Sequence, residues 1–173
     1  MRKISIFALT ILLLNACKKD INRPMKFEFY STVDAASSTL TCTLPGVPFA
    51  IANSGYFLHG NATHLGNIDS DNSKGQDGFC NLSPTFILST KTSGQIVAAN
   101  GDKITYSGDD VIDLNNVISN GATTAPITGV WIITGGTGRF AHASGSFTIN
   151  GIVDVAAEGG PTFRITGEGN IIY

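Results

Sequence analysis

The stretch Phe163-Arg164-Ile165-Thr166-Gly167-Glu168-Gly169-Asn170-Ile171 places its apolar residues at odd positions and its polar residues at even ones. A period of two means a strand with one apolar face and one polar face. Phe27-Glu28-Phe29-Tyr30 shows the same pattern far upstream, with both phenylalanines on one face. Between these segments, Gln95-Ile96-Val97-Ala98-Ala99 and Lys103-Ile104-Thr105-Tyr106 flank Asn100-Gly101-Asp102. Asn-Gly between two strand-like runs predicts a hairpin in which both central residues tolerate positive φ. Later strands are expected over 127–134, 146–155 and 162–173, with loops over 135–138 and 156–161. Gly, Ser, Thr and Asn recur every few residues, and helix-spaced apolar stripes are absent. The domain is therefore all-β. Many antiparallel strands in one domain become a sandwich or a closed barrel, and patterning alone leaves both open.

The start of the chain has a different texture. Arg2 and Lys3 precede an almost wholly apolar run from Ile4 to Leu14, which ends in Leu14-Asn15-Ala16-Cys17 and then Lys18-Lys19-Asp20. That is the three-part layout of a secretory signal. A bilayer needs about 20 apolar residues, so the run is too short to span one. The cysteine closing the run resembles the lipobox of bacterial lipoproteins. The resemblance implies cleavage before Cys17 and acylation of that residue. The expected organisation is a signal over 1–16, a lipidated tether over 17–25 and a β-domain over 26–173. Each acyl methylene buried in the membrane adds about 0.8 kcal/mol, so several chains together hold a protein there. Lys18-Lys19-Asp20 resembles the charged export signal of surface lipoproteins in some Gram-negative groups. The expected location is the cell envelope, on an outer membrane, facing either the periplasm or the outside.

Composition narrows the partners. The chain of 173 residues carries 11 basic and 13 acidic residues, and loss of Arg2 and Lys3 with the signal tilts it further toward acid. Lys74, Lys91, Lys103, Arg139 and Arg164 are scattered rather than clustered. A nucleic-acid partner needs a concentrated basic patch, so none is expected. With Cys17 assigned to lipid, Cys42 and Cys80 form an even pair in an oxidising compartment, where a disulfide is expected.

Three further fragments narrow the fold. They are Asn61-Ala62-Thr63-His64-Leu65-Gly66, Ala98-Ala99-Asn100-Gly101-Asp102, and the glycine-rich run from Gly135 through Arg139 and Phe140 to Gly145. Together with the closing Gly167-Glu168-Gly169-Asn170-Ile171-Ile172-Tyr173, they resemble a group of bacterial exported proteins. That group is similar in turn to the allene oxide cyclase and dirigent barrels of plants. The resemblance runs from about Ser54 to Tyr173. It implies a single antiparallel β-barrel of about eight strands, with room for side chains or one small ligand. The matching motifs resemble turn and barrel-closure residues, so they imply a fold and no chemistry.

Several tempting sites have plainer explanations. Gly136, Gly138 and Ala141 fit a dinucleotide fingerprint, but a strand rather than a helix follows them, and pyrophosphate binding needs the helix. Asp69, Asp71 and Asp77, with Ser73 and Gly75, alternate like a calcium loop. Lys74 and Cys80 occupy the positions where that loop wants glycine and glutamate, so a solvated acidic loop is the better account. His59 and His64 are five apart, which puts them on opposite faces of a strand and argues against a shared metal with His142. His64 is expected to be a strand residue making structural hydrogen bonds. Asp109, Asp110, Asp113 and Glu28 are read as solvated acids. Arg164 and Glu168 share one strand face. They would meet a ligand if that face lined the lumen, and face water if the core is apolar, which is preferred. No metal or other cofactor is expected, and no catalytic residue is identified.

The function expected from these features is noncatalytic, either binding of a small apolar ligand or a structural role in the envelope. Phe27, Phe29, Tyr56, Trp131, Phe147 and Phe163 would build the core or part of a pocket. One alternative is a cyclase or isomerase-like enzyme that confines a reactive apolar substrate in the barrel. The other is an interaction module that binds protein or glycan through loops such as Asp69 to Gly78. A cavity with a few convergent polar groups favours ligand or substrate, whereas a filled barrel favours the loops.

Overall fold

Alternation along the chain is realised as a ring of strands. The computed structural model describes residues 21–42, 49–51 and 53–173. The expected secretory signal, Cys17 and Lys18 to Asp20 lie outside the described residues. The strands are β1 (Asn22–Val33), β2 (Leu40–Cys42), β3 (Phe49–Ile51), β4 (Gly55–Ala62), β5 (Gly66–Asn67) and β6 (Lys74–Leu82). There follow β7 (Ile87–Val97), β8 (Lys103–Asp113), the helix α1 (Asn115–Asn120), β9 (Thr124–Gly136), β10 (Ser144–Asp154) and β11 (Thr162–Ile172). Eight of them join in the antiparallel order β1-β11-β10-β9-β8-β7-β6-β4, and β4 pairs back onto β1. The sheet is closed, so the fold is a barrel and not a sandwich. Closure removes the exposed edges of these strands. Among the described residues, no helix is long and apolar enough to cross a membrane.

The barrel begins earlier than the sequence suggests. Asn22 to Met25 were expected in the tether, yet they pair with Ile172 to Gly169 and seat Met25 fully in the core. Inward positions of β1 are Met25, Phe27, Phe29 and Ser31, and those of β11 include Ile165, Gly167 and Ile171. Phe27 lies against Gly167, where an added Cβ would collide with the phenylalanine ring. The barrel centre is filled by aromatic rings. Phe27 stacks on Phe29 at 4.5 Å and meets Phe147 edge-on at 5.5 Å, while Trp131 stacks on Tyr106 at 4.4 Å. Such pairs add about 0.5–1.5 kcal/mol each beyond area burial.

One end of the barrel is sealed. β9 runs on through Gly135 and Gly136, so the turn starts later than expected, at Thr137, and leads into a short 3₁₀ segment over Gly138–Phe140. It carries Phe140 into the core, where the ring meets Tyr173 at 4.8 Å. Arg139 donates to the His64 carbonyl at 2.6 Å and pairs with Asp102 at 3.5 Å, tying three turns together. Asn22 starts β1 beside Ile172 at this same end. The middle of the glycine-rich run is thus a turn, as expected, and through Phe140 it also plugs the barrel.

Two local expectations need correction. The hairpin between β7 and β8 is not a two-residue turn. Only Gly101 has positive φ (85°), and Gly101 N–H donates to the Ala98 carbonyl at 2.8 Å. This is a three-residue loop whose last residue is left-handed, which asks positive φ of the glycine alone. His64 lies in a turn rather than a strand, at φ 72°, and its Nε2 contacts the Pro24 carbonyl at 3.0 Å.

At the opposite end, β2 and β3 pair as a small separate hairpin, with β2 lying against β6. The expected disulfide joins Cys42 to Cys80, with Cα atoms 4.7 Å apart. It sits in a second apolar cluster with Leu82, Leu88, Leu114 and Ala125.

Candidate functional site

The end opposite the plug holds a partly enclosed cavity of about 360 Å³. Much of its wall is aliphatic or aromatic, from Leu88, Ile112, Leu114, Ile127, Val153, Val155, Pro161 and Phe163. Among the polar residues in the wall are Tyr56, Asp77, Thr90 and Asp110. No Lys, Arg or His is among the described residues that line it.

The strand register explains this grouping. On β7, Thr90 and Thr92 point inward, with Asp77 of β6 opposite Thr92 and Asp110 of β8 opposite Thr90. Inward-facing glycines make the space. Across the β8–β9 ladder, Gly129 lies opposite Asp110, and a Cβ there would collide with the carboxylate. Gly108 likewise accommodates the Trp131 indole, and Gly75 the hydroxyls of Tyr56 and Tyr106. The aromatic layer forms the floor. Trp131 Nε1–H donates to Asp110 Oδ1 at 2.9 Å. The Tyr56 hydroxyl contacts the Tyr106 hydroxyl at 3.1 Å and bonds the Thr92 hydroxyl.

Burial makes both carboxyls reluctant to ionise. Asp77 is pushed from 3.8 up to about 7, mainly by desolvation and then by the charge of Asp110, with the Thr92 hydroxyl opposing. Asp110 is pushed from 3.8 up to about 6 by desolvation, against the hydrogen bond from Trp131, with exposed Asp109 adding repulsion. Burial also raises Tyr56 and Tyr106 well above the ordinary phenol value, so both stay neutral. Two acids of unequal proton affinity therefore share an apolar cavity, next to neutral hydroxyl donors.

Other residues singled out from the sequence lie elsewhere. Asp69 accepts from the Asp71 backbone N–H at 3.2 Å and from Asn72 Nδ2 at 2.8 Å, within a turn beside Val97. Asp77 is not part of that turn, because the chain has already entered β6 at Lys74. The three aspartates do not form one loop, and no group of three His, Cys, Asp or Glu side chains among the described residues could hold a metal ion. Asp69 to Gly78 is likewise not a single loop. His59 stacks on Tyr30 at 4.9 Å and bonds Thr32 at 2.8 Å, away from His64. Arg164 and Glu168 are on the outside of β11 and do not line the cavity, and Glu168 pairs with Lys26 at 2.6 Å. Exposed ion pairs of this kind contribute about 0–1 kcal/mol.

Asp110 was expected to be a solvated acid, but it is 5 % exposed. The signal that finds it is phase. Ile104 and Tyr106 fix the inward face of β8, and counting by twos reaches Gly108, Asp110 and Ile112.

No protein-family model matches the chain, and no curated protein matches it. Among solved structures it is similar to a pterocarpan synthase dirigent protein, at 13% sequence identity and a TM-score of 0.45. That similarity covers 91% of this chain and 88% of the other.

Proposed function

We propose that this protein binds a small, largely apolar molecule in the barrel cavity, holding it by a hydrogen-bond donor directed at Asp77 and Asp110. The carrying observation is the pair of cavity carboxyls set in an aliphatic wall. Apolar walls with a few convergent polar groups are the ordinary form of a small-molecule site. The walls supply affinity through burial of apolar surface, and the carboxyls orient the ligand. This cavity favours a ligand over recognition by loops alone. Tryptophol is a suitable probe because it combines a flat apolar body with a hydroxyl donor. Titration calorimetry should detect its binding, and Ile127→Trp, which fills the cavity, should weaken it by about tenfold or more. Unchanged binding to a folded Ile127→Trp protein would place the ligand elsewhere.

A second reading has its own observation. Asp110 at about 6 and Asp77 at about 7 are both poised near neutrality. One carboxylate could accept a proton from a confined substrate while the other, still protonated, returns one, as an isomerase or cyclase needs.

We further propose that the domain is tethered in the cell envelope through acylated Cys17. The support is the apolar run ending in Leu14-Asn15-Ala16-Cys17. Cys17→Ala should abolish palmitate labelling and release the protein from membranes. Persistent labelling would overturn the tether.

A further inference from the structure

We propose that the cavity is selective for a lipophilic cation, with a protonated amine seated against Asp77 and Asp110 and an apolar body against the aliphatic wall. This inference rests on the proposal that the cavity binds a small apolar ligand, and it names the ligand's charge.

The argument begins with charge balance. On the outer surface of the barrel, Lys26 meets Glu168 and Lys91 meets Asp109. Asp77 and Asp110 have no such partner in the cavity wall. An ionised carboxylate in an apolar setting is costly unless a cation or several hydrogen bonds offset it. Trp131 supplies one donor to Asp110, leaving its other oxygen free to accept. A neutral alcohol can donate to one carboxylate. A protonated amine has up to three donors and also cancels charge. Such charge-assisted bonds are about twice as strong as neutral ones.

The surrounding groups support the same choice. Thr90 is 4 % exposed and lines the cavity beside its register partner Asp110, and its hydroxyl bonds no described residue. It offers a lone pair to an ammonium hydrogen. Tyr56 and Phe163 also line the space, and aromatic rings attract cations through their quadrupole.

The preference should depend on pH. The titratable groups near the two acids are Tyr56 on β4, Tyr106 on β8, and Asp109 on the outer face of β8, where Lys91 of β7 pairs with it. The tyrosines stay neutral, so the change between about pH 5 and pH 8 belongs to Asp77 and Asp110. Both gain charge over that range, whereas an alkylamine stays protonated throughout.

Tryptamine and tryptophol differ at one terminal group and test this directly by titration calorimetry on the intact protein. At about pH 8, tryptamine should bind at least about tenfold more tightly than tryptophol. Its advantage should shrink at about pH 5, where both acids are protonated. Asp110→Asn and, separately, Asp77→Asn should each cut tryptamine affinity by a larger factor than tryptophol affinity, so that the ratio between the two probes narrows. Equal affinities, or tryptamine binding unmoved by both variants, would overturn the cation preference while leaving the ligand site intact. Failure of both probes to bind would overturn the ligand site and this inference together.

Discussion

Raising the pH from about 5 to about 8 should destabilise this protein by about 4 kcal/mol, with Asp77 and Asp110 responsible. The sign is opposite to that of a salt-bridged acid. Both carboxyls hold their protons more tightly when folded than when unfolded, because desolvation opposes ionisation. Between the unfolded value and the folded one, the native state therefore binds more protons. Stability contributed by the protonated acids is fully present below about 4, declines as pH rises, and levels off above about 7. Asp77, with the larger displacement, accounts for more than half of the loss. Thermal melts should show a Tm lower by about 10 °C at the higher pH. Asp77→Asn should remove most of the slope. A Tm that stays level or rises across this interval would mean that the acids are hydrated or paired in solution.

Trp131→Ala should cost about 3–5 kcal/mol, the range for deleting a buried aromatic ring. The residue is 1 % exposed, stacks on Tyr106 and lies 5.9 Å from Phe27. Its loss would open a void at the barrel centre and strip Asp110 of its donor. Trp131→Phe separates these effects. It keeps an aromatic ring and removes the N–H, which should cost about 1–3 kcal/mol. It should also move the titration of Asp110 upward, because the Trp131 hydrogen bond is what restrains it. Urea unfolding at several pH values measures both. A Trp131→Phe protein with wild-type stability and an unchanged pH profile would show that the indole only fills space.

The barrel was legible because its inward positions are strongly apolar where the alternation is regular. Phe27 and Phe29 on β1, and Ile165 and Ile171 on β11, state the period without ambiguity. The same rule put Arg164 and Glu168 in water once an apolar core was assumed. The cavity was harder to read, because its makers are residues that disguise the period. Gly108 and Asp110 occupy inward positions on β8 while Val111 points outward, so a hydropathy reading inverts the face there. On β6 the register shifts between Asp77 and Phe79. Inward residues change from Gly75 and Asp77 to Cys80 and Leu82, and Asp77 looks like one more acid in a series with Asp69 and Asp71. A bulge of this kind cannot be located from alternation alone, since it is the point where alternation fails.

Asn22 enters the barrel at the plugged end, and the cavity is at the other. From Cys17 to Asn22 the chain reaches at most about 18 Å. A lipid on Cys17 would therefore hold the plugged end toward the bilayer and turn the cavity away from it. The ligand of such a protein would arrive through water and not by lateral escape from the lipid. Its supply would follow the concentration of a dissolved solute, and the tether would set where the solute is captured without setting which solute it is.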